Sequence, residues 1–247
     1  MPIVRAAATV PASRSRDWRL PERVTMPDDL EPQAMVKEIS AKRTDGVNGA
    51  GERRPPRCRL AILLSGRGSN FEAIAEAIEA GRIPDAEIVA VISDVAEARG
   101  LAVARERGLP AFPVPRGDEA RSAHEARILR TLEDARPDLL CLAGYMRVLS
   151  PGFVSRWRGR ILNIHPSLLP RHSGLSPQKR ALESGDAETG CTVHFVDEGV
   201  DSGPVVLQRR VPIRSGDTEE TLSARILERE HEAYPEAIAK VLSDLRR

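Results

Sequence analysis

The segment NIHPSLLP, residues 163–170, places an amide and an imidazole two positions apart, directly after an apolar run. In an extended chain, residues i and i+2 lie on the same side of the strand, so the side chains of Asn163 and His165 can face one point. Pro166 has no backbone N–H and ends the strand. A hydrogen-bond donor pair of this kind can stabilise negative charge that develops on an oxygen atom.

A carboxylate that could complete this pair lies in GCTVHFVDEGVDSGP, where Asp201 occupies a glycine-bounded turn after a strand. A carboxylate beside His165 would favour the protonated imidazole, and with Asn163 the three residues predict acyl transfer without a covalent enzyme intermediate. No serine or cysteine stands in a nucleophile elbow, which disfavours a hydrolase triad. A metal site from His165, His194 and Asp201 matches no standard ligand spacing, so we expect no metal. Taken singly, each residue has a structural role as its alternative, because buried histidines are usually just hydrogen-bonded.

A second candidate site is the glycine loop GRGSN, residues 66–70, between the apolar run RLAILL and the helical pattern FEAIAEAIEA. Such loops bind phosphate in α/β folds because the helix N-terminus offers free N–H groups and a favourable dipole. The loop lacks both the Gly-Lys-Ser/Thr of a Walker loop and the third spaced glycine of a dinucleotide fingerprint. We therefore predict a single phosphate monoester bound by Gly68, Ser69 and Asn70, with an ordinary capped turn as the alternative.

The elements that must position these residues alternate along the chain. The sequence predicts strands at 59–64, 86–93, 110–114, 138–143, 160–164, 190–196 and 204–213, and helices at 71–80, 97–107, 118–135 and 217–243. Alternating strands and helices predict a right-handed, mainly parallel α/β sheet. The last three strands are joined by loops too short for helical crossovers, so antiparallel neighbours and a mixed sheet follow. Asp217 and Glu220 resemble a capping box at the start of the last helix, and Pro235 should kink or restart it.

Composition limits the class of protein. The 37 Lys and Arg nearly balance the 36 Asp and Glu, so bulk charge calls for neither a nucleic-acid nor a membrane partner. Aromatic residues make up 3% of the chain, which weakens any interpretation based on base stacking. No apolar run approaches the roughly 18 to 20 residues of a membrane span, and the cysteines are too far apart to suggest a disulfide framework or a zinc site. We expect a soluble, cytoplasmic protein.

Residues 1–57 differ from the rest, being rich in proline, arginine and short polar residues without periodicity. This composition predicts a disordered extension, followed by a single folded domain at 58–247. The Arg-rich start faintly resembles an organelle transit peptide, and translation from Met26 or Met35 is an equally open alternative.

Four separated strings, SGRGSN, LAGYMRVLSPGFV, GRILNIHPSLLP and GCTVHFVDEGVDSGPVVLQ, resemble in order and spacing the phosphoribosylglycinamide formyltransferase family of purine biosynthesis. The resemblance covers residues 59–245 and makes 58–247 a formyltransferase domain. It implies a Rossmann-like fold and transfer of a formyl group from the co-substrate 10-formyltetrahydrofolate to the amine of glycinamide ribonucleotide, without a metal. It also implies small molecules as partners, while the oligomeric state, including a homodimer, stays open.

The resemblance also implies roles for individual residues. The catalytic set would be Asn163, His165 and Asp201. Arg121 would join Gly68, Ser69 and Asn70 at the phosphate, and Glu230 would hold the ribose hydroxyls. Folate would lie against the loop 196–201 and along Met146, Arg147, Val148 and Leu149. The alternatives are a solvated charge for Arg121, a surface ion pair for Glu230, and core packing for Val148 and Leu149.

The chain departs from the family pattern in RHSGLSPQKRAL, residues 171–182. Ser173 replaces the usual proline, and Ser176 and Gln178 stand where histidines are common. The string SPQKRAL resembles the methionyl-tRNA formyltransferase pattern. We expect the difference to affect positioning of the amine substrate and not the formyl chemistry.

Three alternative functions stay open. A 10-formyltetrahydrofolate deformylase normally carries an N-terminal regulatory domain, for which residues 1–57 are too short and too polar. A methionyl-tRNA formyltransferase needs a C-terminal RNA-binding domain, whereas this sequence ends at Arg247. The third alternative is a nucleotide-binding α/β domain without catalysis.

Overall fold

The computed structural model describes residues 57–244, which form one seven-stranded sheet with helices on both faces. The elements in chain order are β1 (Cys58–Leu64), α1 (Ser69–Glu79), β2 (Ala86–Ser93), α2 (Arg99–Glu106), β3 (Ala111–Pro113), α3 (Arg121–Ala135), β4 (Leu139–Leu142), α4 (Pro151–Arg156), β5 (Ile161–His165), α5 (Pro177–Glu183), β6 (Glu188–Phe195), β7 (Val205–Pro212) and α6 (Glu219–Asp244). The predicted extension at 1–57 lies outside the described residues, apart from its last residue.

The sheet has the strand order β3-β2-β1-β4-β5-β6-β7. Strands β1 to β5 are mutually parallel, whereas β6 pairs antiparallel with both β5 and β7. The predicted α/β class with a mixed, mainly parallel sheet is therefore confirmed. The order reverses between β1 and β4, and ligands of open α/β sheets bind outside the carboxyl ends of the strands at such a reversal.

The apolar strand β1 is buried on both faces, as a continuous apolar run indicates. Leu60, Ile62 and Leu64 belong to a core that includes residues of α1 and α6. Ala61 and Leu63 point to the other side, into a core shared with α3 and α4. The two helical layers therefore fix the end of β1, from which the glycine loop emerges.

Two short helices, α4 and α5, occupy stretches in which the sequence analysis placed no helix. Each begins with a proline in its first turn, and the side chain of Ser150 accepts a hydrogen bond from the N–H of Phe153 to cap α4. Helices of six and seven residues are too short to show an apolar period. Helix α4 supplies the crossover that makes β4 and β5 parallel.

The start of α6 lies one residue beyond the predicted capping box. The N–H of Thr221 donates to Oγ1 of Thr218 at 3.2 Å, and the N–H of Thr218 donates back to Oγ1 of Thr221 at 3.0 Å. The prediction of Asp217 with Glu220 was wrong because the Asp217 carboxylate is occupied by Arg225. The helix runs through Pro235 without restarting. Among the described residues, no helix has the length and apolar character needed to cross a membrane.

Candidate active site

The predicted catalytic residues meet where β5 and β6 pair. Asn163 lies opposite His194 in the antiparallel register of these strands, and its Nδ2 is 3.2 Å from Nε2 of His194. Nδ1 of His165 lies 3.3 Å from Oδ2 of Asp201, while Nε2 of His194 lies 3.6 Å from Oδ1 of the same carboxylate. The structure thus brings Asn163, His165 and Asp201 together and adds His194.

The turn that carries Asp201 depends on glycine. A Cβ at Gly203 would lie 1.9 Å from the carbonyl oxygen of Phe195, so only glycine lets the chain fold back against the end of β6. Asp201 itself has φ of 53°, a left-handed conformation that aspartate adopts more readily than most residues. These two positions turn the carboxylate back over the end of β5.

The contacts of His165 favour its protonated form. Nε2 lies 3.1 Å from the carbonyl oxygen of His172, and Nδ1 faces the Asp201 carboxylate. Both partners only accept hydrogen bonds, and a neutral imidazole has a single N–H, so only the imidazolium satisfies both. The pKa of His165 is nevertheless lowered overall, because burial, the largest influence, outweighs the His172 carbonyl and the Asp201 charge, which both raise it.

Asp201 is held in its ionised form. Burial alone would raise its pKa, but hydrogen bonds from His194 and from the backbone N–H of Gly174, together with the charge of His165, lower that pKa to about 2. The Gly174 N–H donates to Oδ2 at 2.8 Å. A carboxylate with this pKa is negative throughout the neutral range.

His194 was considered in the sequence only as a member of a disfavoured metal site, and it was not among the predicted catalytic residues. Its Nδ1 lies 2.8 Å from the carbonyl oxygen of Phe195, so Nδ1 carries a hydrogen. In the neutral ring, Nε2 can accept from Asn163; in the charged ring, Nε2 donates toward Asp201 instead. Nε2 of His194 thus lies within reach of both the Asn163 amide and the Asp201 carboxylate.

The glycine loop lies at the carboxyl end of β1 and opens α1. Gly68 precedes α1 with φ of 83°, and a Cβ there would lie 2.7 Å from Cα of Gly100, so the loop needs glycine for both conformation and space. Ser69 and Asn70 begin the helix, where backbone N–H groups are free of intrahelical partners. The residues predicted to bind phosphate are therefore in a suitable position.

Asn70 also contacts the residue predicted to hold the ribose. Nδ2 of Asn70 donates to Oε2 of Glu230 at 2.7 Å, and both side chains are buried. Burial raises the pKa of Glu230 to about 7, although the hydrogen bond from Asn70 opposes the shift. Oδ1 of Asn70 is buried without a partner. The burial of Glu230 excludes the alternative in which this residue forms a surface ion pair.

The predicted folate segment Met146–Leu149 follows β4. Met146 and Val148 are exposed, at 78% and 67%, whereas Leu149 is buried in the core. Arg147 forms an ion pair with the buried carboxylate of Asp94. Leu149 therefore fits its alternative as a core residue, while Val148 does not.

Ser65 and Asp94 anchor this segment, and the sequence analysis missed both. The Ser65 hydroxyl donates to Oδ1 of Asp94 at 2.5 Å and accepts from the N–H of Met146 at 2.9 Å. Each residue follows a buried strand, and carboxyl ends of parallel strands meet at one edge of a sheet. The position of each polar residue directly after a predicted buried strand was the signal in the sequence that could have identified Ser65 and Asp94.

Arg121 begins α3 and lines a cleft of about 300 Å³ together with Arg116, Tyr145 and the segment Met146–Leu149. The structure therefore places Arg121 beside the predicted folate segment. Its predicted contact with the phosphate stays a prediction.

The family model described as formyl transferase matches residues 58–238. The chain belongs to the formyl transferase family. Phosphoribosylglycinamide formyltransferase of Escherichia coli strain K12 is 42% identical over 181 residues, which cover 73% of this chain and 85% of that protein. The crystal structure of phosphoribosylglycinamide formyltransferase from Brucella melitensis is 51% identical, with a TM-score of 0.70, and the match covers 74% of this chain and 95% of that one.

Longer members of this formyl transferase family also match. The trifunctional purine biosynthetic protein adenosine-3 of Drosophila pseudoobscura pseudoobscura is 45% identical over 239 residues. The match covers 92% of this chain but 17% of that protein. This chain therefore spans about a sixth of the length of such relatives.

Proposed function

We propose that this chain transfers the formyl group of 10-formyltetrahydrofolate to the amine of glycinamide ribonucleotide in purine biosynthesis. The observation that carries the proposal is the 3.3 Å contact between Nδ1 of His165 and Oδ2 of Asp201, beside the amide of Asn163. It places an imidazolium charge and the amide donor of Asn163 where an oxyanion can form, next to a fixed negative charge. Relatives named for this reaction match over most of their own length.

The chemistry follows from the charges of the three groups. The substrate amine attacks the formyl carbon, a new N–C bond forms, and the carbonyl oxygen becomes an oxyanion. Asn163 donates a hydrogen bond to that oxygen, the positive charge of protonated His165 stabilises it electrostatically, and ionised Asp201 stabilises the imidazolium. The bond to N10 of the folate then breaks, and the proton released by the amine balances the proton gained at N10. Holding both substrates side by side contributes much of the rate enhancement.

We assign the ribonucleotide to the end of β1. The backbone N–H groups of Gly68, Ser69 and Asn70 would bind the phosphate, because they are free donors at the N-terminus of α1. Glu230 would accept hydrogen bonds from the ribose hydroxyls. Asn70 must then share or release the Glu230 carboxyl group, to which it donates in the structure. The formyl acceptor then extends toward His165.

We assign the folate to the segment Met146–Leu149 and the loop 196–201. Arg121 shares its cleft with Arg147 and Val148, and folate ends in carboxylates that such arginines would bind. This position favours the folate tail over the phosphate that the sequence resemblance implied for Arg121. The two assignments predict different effects of Arg121→Ala on the KM values of the two substrates.

We further propose that the chain is a cytoplasmic enzyme that acts on small molecules. It would need no metal and no nucleic-acid or membrane partner. The net charge of +1 supports this proposal, because neither nucleic acid nor anionic lipid would be attracted by bulk charge.

The decisive experiment offers the purified chain 10-formyltetrahydrofolate with three acceptors: glycinamide ribonucleotide, water alone, and charged initiator tRNA. We expect rapid formation of formylated ribonucleotide and no comparable release of tetrahydrofolate in the other two reactions. The variant His165→Ala serves as the control for background transfer. Faster turnover with water or with tRNA would replace this proposal by a deformylase or a tRNA formyltransferase.

A further inference from the structure

We propose that His172 and Asp186 are positioning residues that hold the loop 171–176 against His165 and Asp201. This loop, called the clamp loop below, connects β5 to α5 and contains the departure from the family pattern. The inference rests on the proposed function, because the groups it positions are the proposed catalytic ones.

The backbone of the clamp loop contacts both catalytic groups. The carbonyl oxygen of His172 lies 3.1 Å from Nε2 of His165. Two residues later, the N–H of Gly174 donates to Oδ2 of Asp201 at 2.8 Å. A shift of the loop would therefore change the hydrogen bonds of both partners in the His165–Asp201 pair.

The side chain of His172 holds the clamp loop in place through a contact with Asp186. Nε2 of His172 lies 2.7 Å from Oδ2 of Asp186, which precedes β6, and the two side chains are only 14% and 9% exposed. Arg171 pairs with Oδ1 of the same carboxylate. These contacts join the start of the clamp loop to the rigid sheet.

The amino-acid sequence of the clamp loop itself does little to restrain its backbone. Residues 171–176 contain no proline, and Gly174 is conformationally permissive. His172 has φ of 56°, a conformation that persists in a non-glycine residue only when surrounding contacts impose it. The His172–Asp186 contact supplies such a restraint, and Arg180 adds a second one by donating to the carbonyl oxygens of His172 and Ser173.

The charged and polar groups that face this pair set its electrostatics. Arg171 pairs with Asp186, Arg180 donates to the His172 carbonyl oxygen, and the nearby Ser184 hydroxyl donates to the carbonyl oxygen of Ala181. The hydrogen bond from His172 is the largest influence that lowers the pKa of Asp186, with burial opposing it. The titratable groups on the catalytic side of the clamp loop are His165, Asp201 and His194. Removing the carboxylate of Asp186 releases the clamp loop without altering any group in the proposed catalytic set.

The test compares Asp186→Ala and Asp186→Asn with Glu183→Gln, a matched control that removes an exposed carboxylate from neighbouring α5. The first readout is kcat as a function of pH with glycinamide ribonucleotide. The second is the NMR titration of His165 in histidine-labelled protein, in which five histidines can be assigned by single substitutions. The second readout needs no turnover.

We expect Asp186→Ala to lower kcat about tenfold, as misplacement of a catalytic group does, with smaller changes in both KM values. His165 loses a stabilising acceptor, so its titration and the alkaline limb of the kcat profile should move to lower pH. Asp186→Asn should be intermediate, because an amide oxygen still accepts from His172, and Glu183→Gln should match the parent chain.

A variant that melts earlier but keeps the parental kcat and the parental His165 titration would reduce the pair to a structural role and overturn the proposal. If Asp186→Ala does not fold, His172→Phe is measured in the same two ways and decides the question. If the parent chain itself fails to formylate the ribonucleotide, the proposed function fails, whereas the NMR titration still tests the clamp.

Discussion

Asn70 and Glu230 are separated by 160 positions in the sequence and joined by a 2.7 Å hydrogen bond in the structure. One residue opens α1 at the glycine loop, and the other lies in the middle of α6. The bond makes the proposed phosphate-binding loop and the proposed ribose-binding carboxyl group neighbours, as a single ribonucleotide site would require. It also places an ionisable group in a buried environment, with a measurable consequence for stability.

Glu230→Gln should make the stability of the protein less sensitive to pH. Burial raises the pKa of Glu230 from 4.5 to about 7, so the folded state binds the proton more tightly than the unfolded state. The contribution is fully present below pH 4.5 and is lost as pH rises through 7, up to roughly 3 kcal/mol. Urea denaturation of both proteins between pH 4.5 and 8 measures the difference.

Glutamine resembles the protonated carboxyl group, so the two proteins should have similar free energies of unfolding at the acid end. The parent should become the less stable of the two above pH 7. A difference that stays constant across this range would show that Glu230 does not titrate in it.

Single substitutions of the proposed catalytic residues should lower kcat without unfolding the chain. Asn163→Ala removes an oxyanion donor, and such losses typically cost about 100-fold or more in kcat. Asp201→Asn should cost a similar factor, because a neutral amide no longer stabilises the His165 imidazolium. Steady-state kinetics with circular dichroism as a folding check measure both effects.

Glu133→Gln is the matched control for Asp201→Asn, because it changes an exposed carboxylate that pairs with Arg156 at the surface, outside the proposed site. Its kcat should equal that of the parent chain. Parental kcat in Asp201→Asn would instead remove this carboxylate from the mechanism.

The local part of this site could be predicted from the sequence, since strand alternation alone places Asn163 and His165 on one side. The contact of Asn163 with His194 depends on the register of β5 against β6, which no local pattern encodes. Ser65 and Asp94 likewise lie 29 residues apart and meet only because β1 and β2 end at the same edge. Long-range contacts of this kind were the main features of the site that could not be predicted from the sequence.

Errors in the predicted elements have similarly specific causes. Helices α4 and α5 are too short to show a period, and only their initial prolines and the Ser150 cap marked them. At the start of α6, Asp217 and Thr218 are both good capping residues. Arg225, further along α6 itself, engages Asp217 and leaves the cap to Thr218, and the residue types alone did not show which of the two would be the cap.

Arg121→Ala should raise the KM for 10-formyltetrahydrofolate more than the KM for glycinamide ribonucleotide, because the guanidinium shares a cleft with the folate segment. Loss of one charge-assisted contact of about 1.5 to 3 kcal/mol corresponds to roughly a 10- to 100-fold rise. Arg130→Ala, which removes an exposed arginine from the same helix, should change neither value. The reverse pattern, a rise confined to the ribonucleotide, would restore the phosphate role that the sequence resemblance implied.

Asp94→Asn should weaken folate binding through the position of the segment Met146–Leu149. The buried Asp94 carboxylate holds the Arg147 guanidinium and, through the Ser65 hydroxyl, the N–H of Met146. Asparagine keeps the size and one acceptor oxygen but removes the charge, so Arg147 should swing free while the fold survives. We expect the KM for folate to rise by about tenfold, with kcat at saturating folate nearly unchanged. Arg147→Ala should produce the same rise, and the double variant should add little to it, because both substitutions break one contact. Additive effects would mean that Asp94 and Arg147 act on folate independently.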